Sequence, residues 1–150
     1  MSSIVFPKGF SYVVAVSTST IFLNIWQYLR VNSARKFASV DYPQMYAEKS
    51  EAAADQKKHI FNCIQRTHQN TLEIIPYFLL SLFTTGIKHP YLASAFGATW
   101  VVGRVFYTIG YSSGDPIKRV TRGGFLSSIG ISVLSLTAAY ASYEILADEL

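Results

Sequence analysis

A cluster of polar side chains interrupts one of the most hydrophobic regions of the chain. Residues 61–73 have the sequence FNCIQRTHQNTLE and run without a break into the apolar residues 74–80, IIPYFLL. Arg66 and Glu73 are thus predicted to lie on a helix that enters a bilayer. Because an ionisable group at that depth costs several kcal/mol unless it is paired or lines a polar cavity, such groups mark a functional site by default.

Most polar groups of this segment share one face of the predicted helix. At about 100° per residue, Asn62, Asn70 and Glu73 all fall within about 40° of Arg66. His68 falls nearly opposite, about 200° away. The stripe therefore presents a cation, a carboxylate and amide groups in one direction.

A second apolar stretch carries a matching set of groups. Arg104, Tyr107 and Tyr111 are spaced i, i+3 and i+7, which places them on one helix face. Further basic residues are expected where the helices meet the cytoplasm: Arg35, Lys36, Lys118 and Arg119. Cations thus outnumber the carboxylate of Glu73, which is expected to be buried.

Surplus positive charge at one site indicates an anionic ligand. The predicted ligand is small, with several carboxylates and an amine that Glu73 would accept. The alternative is that Arg66 and Glu73 only neutralise one another. The ligand site is favoured because two separate helices present matching arginine and tyrosine groups on the same side of the membrane.

The composition indicates a membrane protein that positions these groups on helices. Half of the 150 residues are hydrophobic and 15% are charged, against roughly 25% in soluble domains. Four stretches are predicted to span the bilayer: residues 10–30, 60–87, 90–111 and 124–146. Each offers about the 20 mostly apolar residues that a crossing requires, the second only with its polar half included.

We therefore predict one all-α integral membrane domain, residues 1–150, built as a four-transmembrane-helix bundle. The first span is interpreted as a retained helix because its apolar stretch exceeds the roughly 7–15 residues of a signal-peptide core. Arg30 also stands where a small-residue cleavage site would be expected. The His89-Pro90 pair predicts a tight antiparallel turn, and residues 47–58 predict a short surface helix.

Basic residues are distributed unevenly around the predicted spans. Nine border or lie in the two connections that follow the first and third spans, whereas the other side has only Lys8 and Lys88. By the positive-inside rule these two longer loops are predicted to be cytoplasmic. The net charge of +4 is attributed to this topology and to anionic lipid, and no nucleic acid is expected as a partner.

The chain offers little for metal or thiol chemistry. Its single cysteine, Cys63, excludes an intramolecular disulfide. The three histidines, His59, His68 and His89, do not have metal-ligand spacing with it. No metal is expected, and Cys63 is interpreted as a packing residue.

The polar segments resemble a known family. Residues 61–73, followed by Pro76, resemble the signature of the MAPEG superfamily, the membrane-associated proteins of eicosanoid and glutathione metabolism. Residues 102–111, VGRVFYTIGY, followed by residues 114–119, GDPIKR, look most like the microsomal glutathione S-transferases of type three. The resemblance also includes residues 33–36, SARK, and residues 41–43, DYP.

The resemblance implies how the site residues are used. Six positions match the family's glutathione contacts: Arg66, Asn70, Glu73, Arg104, Tyr107 and Tyr111. Arg35 and His68 match contacts that reach in from an adjacent subunit. The arginine that activates the glutathione thiol corresponds to Lys118 or Arg119, and Arg119 is favoured because a guanidinium stays charged. A tyrosine that some relatives carry after the glutamate is Ile74 here, so that contact is missing.

The resemblance also implies the activity and its setting. A homotrimer in the endoplasmic reticulum is expected, with the outer mitochondrial membrane or nuclear envelope as alternatives. Glutathione would be the co-substrate, and its thiolate would attack a lipophilic electrophile or a lipid hydroperoxide supplied by the membrane. The alternatives are a non-catalytic lipid-presenting scaffold, like the superfamily's lipoxygenase-activating member, and a small transporter, for which Pro76 alone is thin support.

Overall fold

The computed structural model describes residues 6–149, and these residues form helices and short connections. The helices are α1 (Phe10–Ala38), α2 (Lys49–Ala54), α3 (Gln56–Lys88), α4 (Pro90–Tyr111), α5 (Lys118–Thr121) and α6 (Phe125–Glu149). The described part of the chain contains no strand. The predicted domain limits, residues 1 and 150, lie outside the described residues.

The four long helices pack around a compact aromatic and aliphatic core. α4 packs against α1, α3 and α6, and α3 also packs against α1 and α6. At the centre, the rings of Phe78 and Trp100 stack with their centroids 3.9 Å apart. Val13, Leu82 and Leu134 are fully buried beside them. This packing fixes the rotation of α3 and α4, which carry most of the polar groups.

The helices differ in how well they fit a bilayer. Within residues 6–149, α4 and α6 are long and apolar enough to cross a membrane. α3 contains the polar cluster, and α1 contains four consecutive hydroxyl-bearing residues, 17–20. The predicted four-span topology therefore stays a prediction for α1 and α3. Large apolar side chains nevertheless face outward on all four long helices, as lipid contact would require, among them Phe22, Leu80, Phe106 and Leu136.

The connections are short on one side of the bundle and longer on the other. Only His89 separates α3 from α4, so the predicted turn at His89-Pro90 is present. His89 Nε2 lies 2.7 Å from Glu144 Oε2 and ties this turn to α6. The predicted surface helix is shorter than residues 47–58, because α2 ends at Ala54 and α3 begins at Gln56.

Glycines set the distance between α4 and α6. A methyl group built on Gly103 would lie 2.2 Å from the backbone nitrogen of Ser127 and 2.8 Å from the carbonyl carbon of Leu126. One built on Gly130 would lie 2.7 Å from the backbone nitrogen of Trp100. The two backbones are therefore in direct contact, which small residues alone permit.

We expect Gly103→Ala to destabilise the fold by about 1–3 kcal/mol, because the added methyl group meets backbone that cannot rotate away. Thermal unfolding of the detergent-solubilised protein measures this loss. Gly97→Ala is the matched control, since the three atoms nearest to its methyl group belong to the side chains of Leu82 and Val16 and not to backbone. A Gly103→Ala protein that unfolds at the wild-type temperature would contradict the tight α4–α6 contact.

Candidate functional site

Arg66 and Glu73 form an ion pair on the outer face of α3. Arg66 Nη1 donates to Glu73 Oε1 at 2.8 Å, and the two side chains are 42% and 46% exposed. The expectation of a buried carboxylate was wrong for the isolated chain, because the helix turns this face away from the core. Pairing offsets part of the cost of placing these charges on a helix predicted to enter a bilayer, and their exposed atoms stay open to a ligand or to another protein surface.

Arg104 is the buried centre of the polar groups. It is 2% exposed, and its guanidinium donates to Thr71 Oγ1 at 2.5 and 3.1 Å and to Asn70 Oδ1 at 3.0 Å. A further bond of 3.3 Å reaches the carbonyl oxygen of Thr67. These bonds join α4 to α3 and compensate for the removal of a charged group from water. They also orient the Asn70 amide beside the Arg66–Glu73 pair, since residues three and four apart are neighbours on a helix.

An aromatic row connects Arg104 to α5. The Arg104 guanidinium carbon lies 4.1 Å from the centroid of the Tyr107 ring. Tyr107 meets the Tyr111 ring edge to face, with 5.8 Å between the centroids. The guanidinium of Arg119 lies over Tyr111, 5.3 Å from its centroid. Along this side of α4, the rings of Tyr107 and Tyr111 therefore lie between the guanidinium groups of Arg104 and Arg119.

The two candidate thiol-activating residues have different partners. Lys118 Nζ lies 3.4 Å from Asp115 Oδ2, so a carboxylate offsets its charge. Arg119 Nη1 donates to the carbonyl oxygen of Pro116 at 2.7 Å and forms no ion pair among the residues that the structure describes. Of the two, Arg119 is the cation whose positive charge is not offset by a described carboxylate.

A glycine on α4 lets the short helix α5 come this close. A methyl group on Gly110 would lie 2.1 Å from the carbonyl oxygen of Lys118. No side chain fits in that space, so the backbone of α5 rests directly on α4. This contact places Arg119 next to Tyr111.

A small cavity adjoins the buried arginine. Its volume is about 130 Å³, well above the roughly 15 Å³ that one water requires, so it admits a small polar group. Its polar lining comes from Asn70 of α3, Arg104 and Tyr107 of α4, and Ser127 and Ser128 of α6. Apolar side chains complete the lining: Ile74, Trp100, Val120 and Ile131. The cavity is therefore mixed in polarity, with the buried arginine among its polar groups.

Two predicted site residues lie apart from this cluster. Arg35 is buried in α1 and donates to backbone carbonyls of its own chain rather than to the cluster. His68 is half-buried and lies around α3 from Arg66, as the helical spacing predicted. The Asn62 side chain likewise does not contact the cluster, since its amide pairs with the backbone of Ala47.

The sequence did not predict four residues that the structure brings to the cluster. Thr71 accepts from Arg104 through its hydroxyl oxygen and Thr67 through its backbone carbonyl oxygen, so only Thr71 offered a side-chain signal in the sequence. Tyr46 donates its hydroxyl hydrogen to Gln69 Oε1 of α3. No periodicity could have placed Tyr46, because it lies in an irregular connection. Among residues 6–149, no group of three or more histidine, cysteine, aspartate or glutamate side chains is arranged to hold a metal.

Comparison with known proteins identifies the family. Residues 13–140 match the profile of the MAPEG family. The chain belongs to the MAPEG family. All of the clustered residues fall inside the matched range, and this family includes glutathione transferases. The family assignment and the two apolar helices together indicate a membrane protein.

A curated relative extends the comparison over part of the chain. An uncharacterised protein of Synechocystis sp. is 38% identical over 79 residues. The matched region is 52% of this MAPEG chain and 56% of the relative, so the chain spans about half the length of the curated relative it matches.

Proposed function

We propose that this MAPEG protein is a membrane-bound glutathione transferase with glutathione peroxidase activity, most like the type-three microsomal enzymes. The observation that carries the proposal is the continuous row from the Arg66–Glu73 pair through Asn70 and Arg104 to Arg119. We further propose four spans, cytoplasmic long loops and a location in the endoplasmic reticulum.

Glutathione supplies the negative charges that this row of cations lacks. Its carboxylates bind the guanidinium of Arg66 and the polar wall that Arg104 and Asn70 provide, and its ammonium group binds Glu73. The Tyr107 and Tyr111 hydroxyls complete the site along α4. The exposure of the Arg66–Glu73 pair supports a homotrimer in which a neighbouring subunit covers this face of α3 and brings His68 to the ligand.

The sulfur of glutathione is the nucleophile in both proposed reactions. Arg119 stabilises the thiolate electrostatically, in preference to Lys118, whose charge Asp115 offsets. In conjugation, the sulfur forms a bond to an electrophilic carbon and the leaving group departs with its electron pair. In peroxide reduction, the sulfur attacks a peroxide oxygen, the O–O bond breaks, and protonation releases an alcohol. A second glutathione then reduces the sulfenic form of the first, giving the disulfide and water.

Titration calorimetry and turnover assays on the detergent-purified protein test the proposal. We expect glutathione to bind and to react with chlorodinitrobenzene and cumene hydroperoxide. Arg66→Ala should weaken glutathione binding by about 10-fold or more, because a charged hydrogen bond to a carboxylate is lost. Lys8→Ala, far along the chain from the cluster, is the control. Absence of glutathione binding to the wild-type protein would overturn the proposal and favour the lipid-presenting scaffold.

A further inference from the structure

The connection between α1 and α2, residues 39–48, lies across the ends of α1 and α3. We name it the strap. Arg35, which is 7% exposed, holds its first part. The guanidinium donates to the carbonyl oxygens of Val40 at 3.2 Å, Gln44 at 2.6 Å and Met45 at 3.3 Å. Three backbone groups of the strap therefore converge on one buried cation.

The burial of Arg35 and the shape of the strap depend on each other. Arg35 forms no ion pair among the residues that the structure describes, so hydrogen bonds must compensate for its desolvation. The faces of Tyr42 and Phe61 also approach it, at 4.4 Å and 4.8 Å from the guanidinium carbon, and its buried Nε has no hydrogen-bond partner among the described residues. If the strap moved away, the cation would lose its compensating partners.

The far end of the strap is tied to α3. The amide of Asn62 accepts from the backbone nitrogen of Ala47 at 2.8 Å and donates to the Ala47 carbonyl oxygen at 2.9 Å. Gln44 also donates to Glu51, which pairs with Lys58 at 2.5 Å. The bond from Lys58 holds the pKa of Glu51 below its ordinary value, so this tie is charged at neutral pH. The strap is thus fixed at both ends.

Between these anchors the strap presents Tyr46 to the candidate site. Tyr46 is half-buried, and its hydroxyl group donates to Gln69 of α3. Burial raises the pKa of the Tyr46 hydroxyl above its ordinary value, and the nearby positive charge of Arg66 opposes that rise. The phenol is therefore neutral and a hydrogen-bond donor at physiological pH, beside the Arg66–Glu73 pair.

We propose that Tyr46 is a positioning residue for Arg66 and that the strap holds it there through Arg35 and Asn62. The inference rests on the proposed glutathione site and adds a wall to it. Gln69, the hydrogen-bond partner of Tyr46, is three residues from Arg66 and is therefore its neighbour on the surface of α3. A phenol held at this place restricts the long Arg66 side chain, which lowers the entropy cost of binding a carboxylate. Arg35 then acts on the site through its own strap, which differs from its expected role as a contact from an adjacent subunit.

Two variants test the position of Tyr46, with calorimetry and steady-state kinetics as readouts. Tyr46→Phe removes only the hydroxyl, and Asn62→Ala releases the strap without altering Tyr46. We expect each to raise the glutathione dissociation constant and KM about 3- to 10-fold, as the loss of one hydrogen bond predicts, while kcat changes less than about twofold. Tyr143→Phe, at an exposed position on α6, should match the wild type.

Hydrogen exchange tests the strap without glutathione. Arg35→Met and Asn62→Ala should accelerate amide exchange over residues 40–47, because each removes an anchor. Unchanged exchange in both variants, unchanged glutathione affinity in Tyr46→Phe, or a loss confined to kcat would overturn the inference. A wild-type protein that does not bind glutathione would instead overturn the proposed function. The exchange experiment contains no glutathione, so its result tests the strap independently of that function.

Discussion

Replacing Arg119 by alanine is expected to lower kcat by about 10²- to 10³-fold, the range found when one preorganised electrostatic group is removed. Glutathione binding should change little, because Arg66, Glu73 and the Arg104 wall are unaltered. The structural reason is the charge that Arg119 retains. Its guanidinium lies over Tyr111 and donates to a neutral carbonyl oxygen, which leaves its positive charge for a thiolate. Turnover with chlorodinitrobenzene at saturating glutathione measures the effect.

Lys118→Ala is the matched control for this prediction. Lys118 has the same charge and lies one residue away, but Asp115 offsets it at 3.4 Å. We expect less than about a tenfold loss of kcat, because the Lys118 side chain is 39% exposed and points its ammonium group to Asp115, where solvent ions screen the charge that is removed. Arg119→Lys should recover part of the rate, since the cation is kept and the planar fork is lost. Full activity in Arg119→Ala, with loss in Lys118→Ala, would reverse the assignment.

Replacing Arg104 by methionine is expected to affect both the fold and the ligand. The variant loses the hydrogen bonds that join α4 to Asn70 and Thr71 of α3. Since buried acceptors are left without their donor, we expect a loss of about 2–4 kcal/mol in the free energy of unfolding. Glutathione binding should fall by about 100-fold or more, because the Asn70 amide is no longer held beside Arg66. Thermal unfolding and calorimetry in detergent measure the two effects separately.

Arg104→Lys separates positioning from charge at this site. A lysine keeps the cation but cannot donate to Thr71, Asn70 and Thr67 in the fixed geometry of a guanidinium. We expect an intermediate unfolding temperature and affinity. Wild-type affinity in Arg104→Met would show that Arg104 has no part in ligand binding and serves only to join α3 and α4.

The sequence predicted the helical class and the segments that carry the site. Apolar runs and their interruptions are local features, so the turn at His89-Pro90 and the break after Tyr111 could be read directly. The spacing of Arg104, Tyr107 and Tyr111 likewise placed them on one face. The burial of Glu73 was predicted wrongly for the isolated chain, where its side chain is 46% exposed, because periodicity shows that residues share a face but not which way that face points.

What the sequence by itself determined was the content of the site: arginines that outnumber a single carboxylate, together with several hydroxyl groups. The tertiary structure alone decided how each cation is used. Arg35 donates to the backbone of the strap, and Arg104 joins α4 to α3. Lys118 lies next to the carboxylate of Asp115, whereas Arg119, within the described part of the chain, donates only to a neutral carbonyl oxygen. The physical reason differs between the cations. Arg35, Lys118 and Arg119 have partners 3–10 residues away, and these contacts depend on how the irregular connections bend. The partners of Arg104 lie 33–37 residues away on another helix. Packing brings those partners together, and no local pattern of residues records the result.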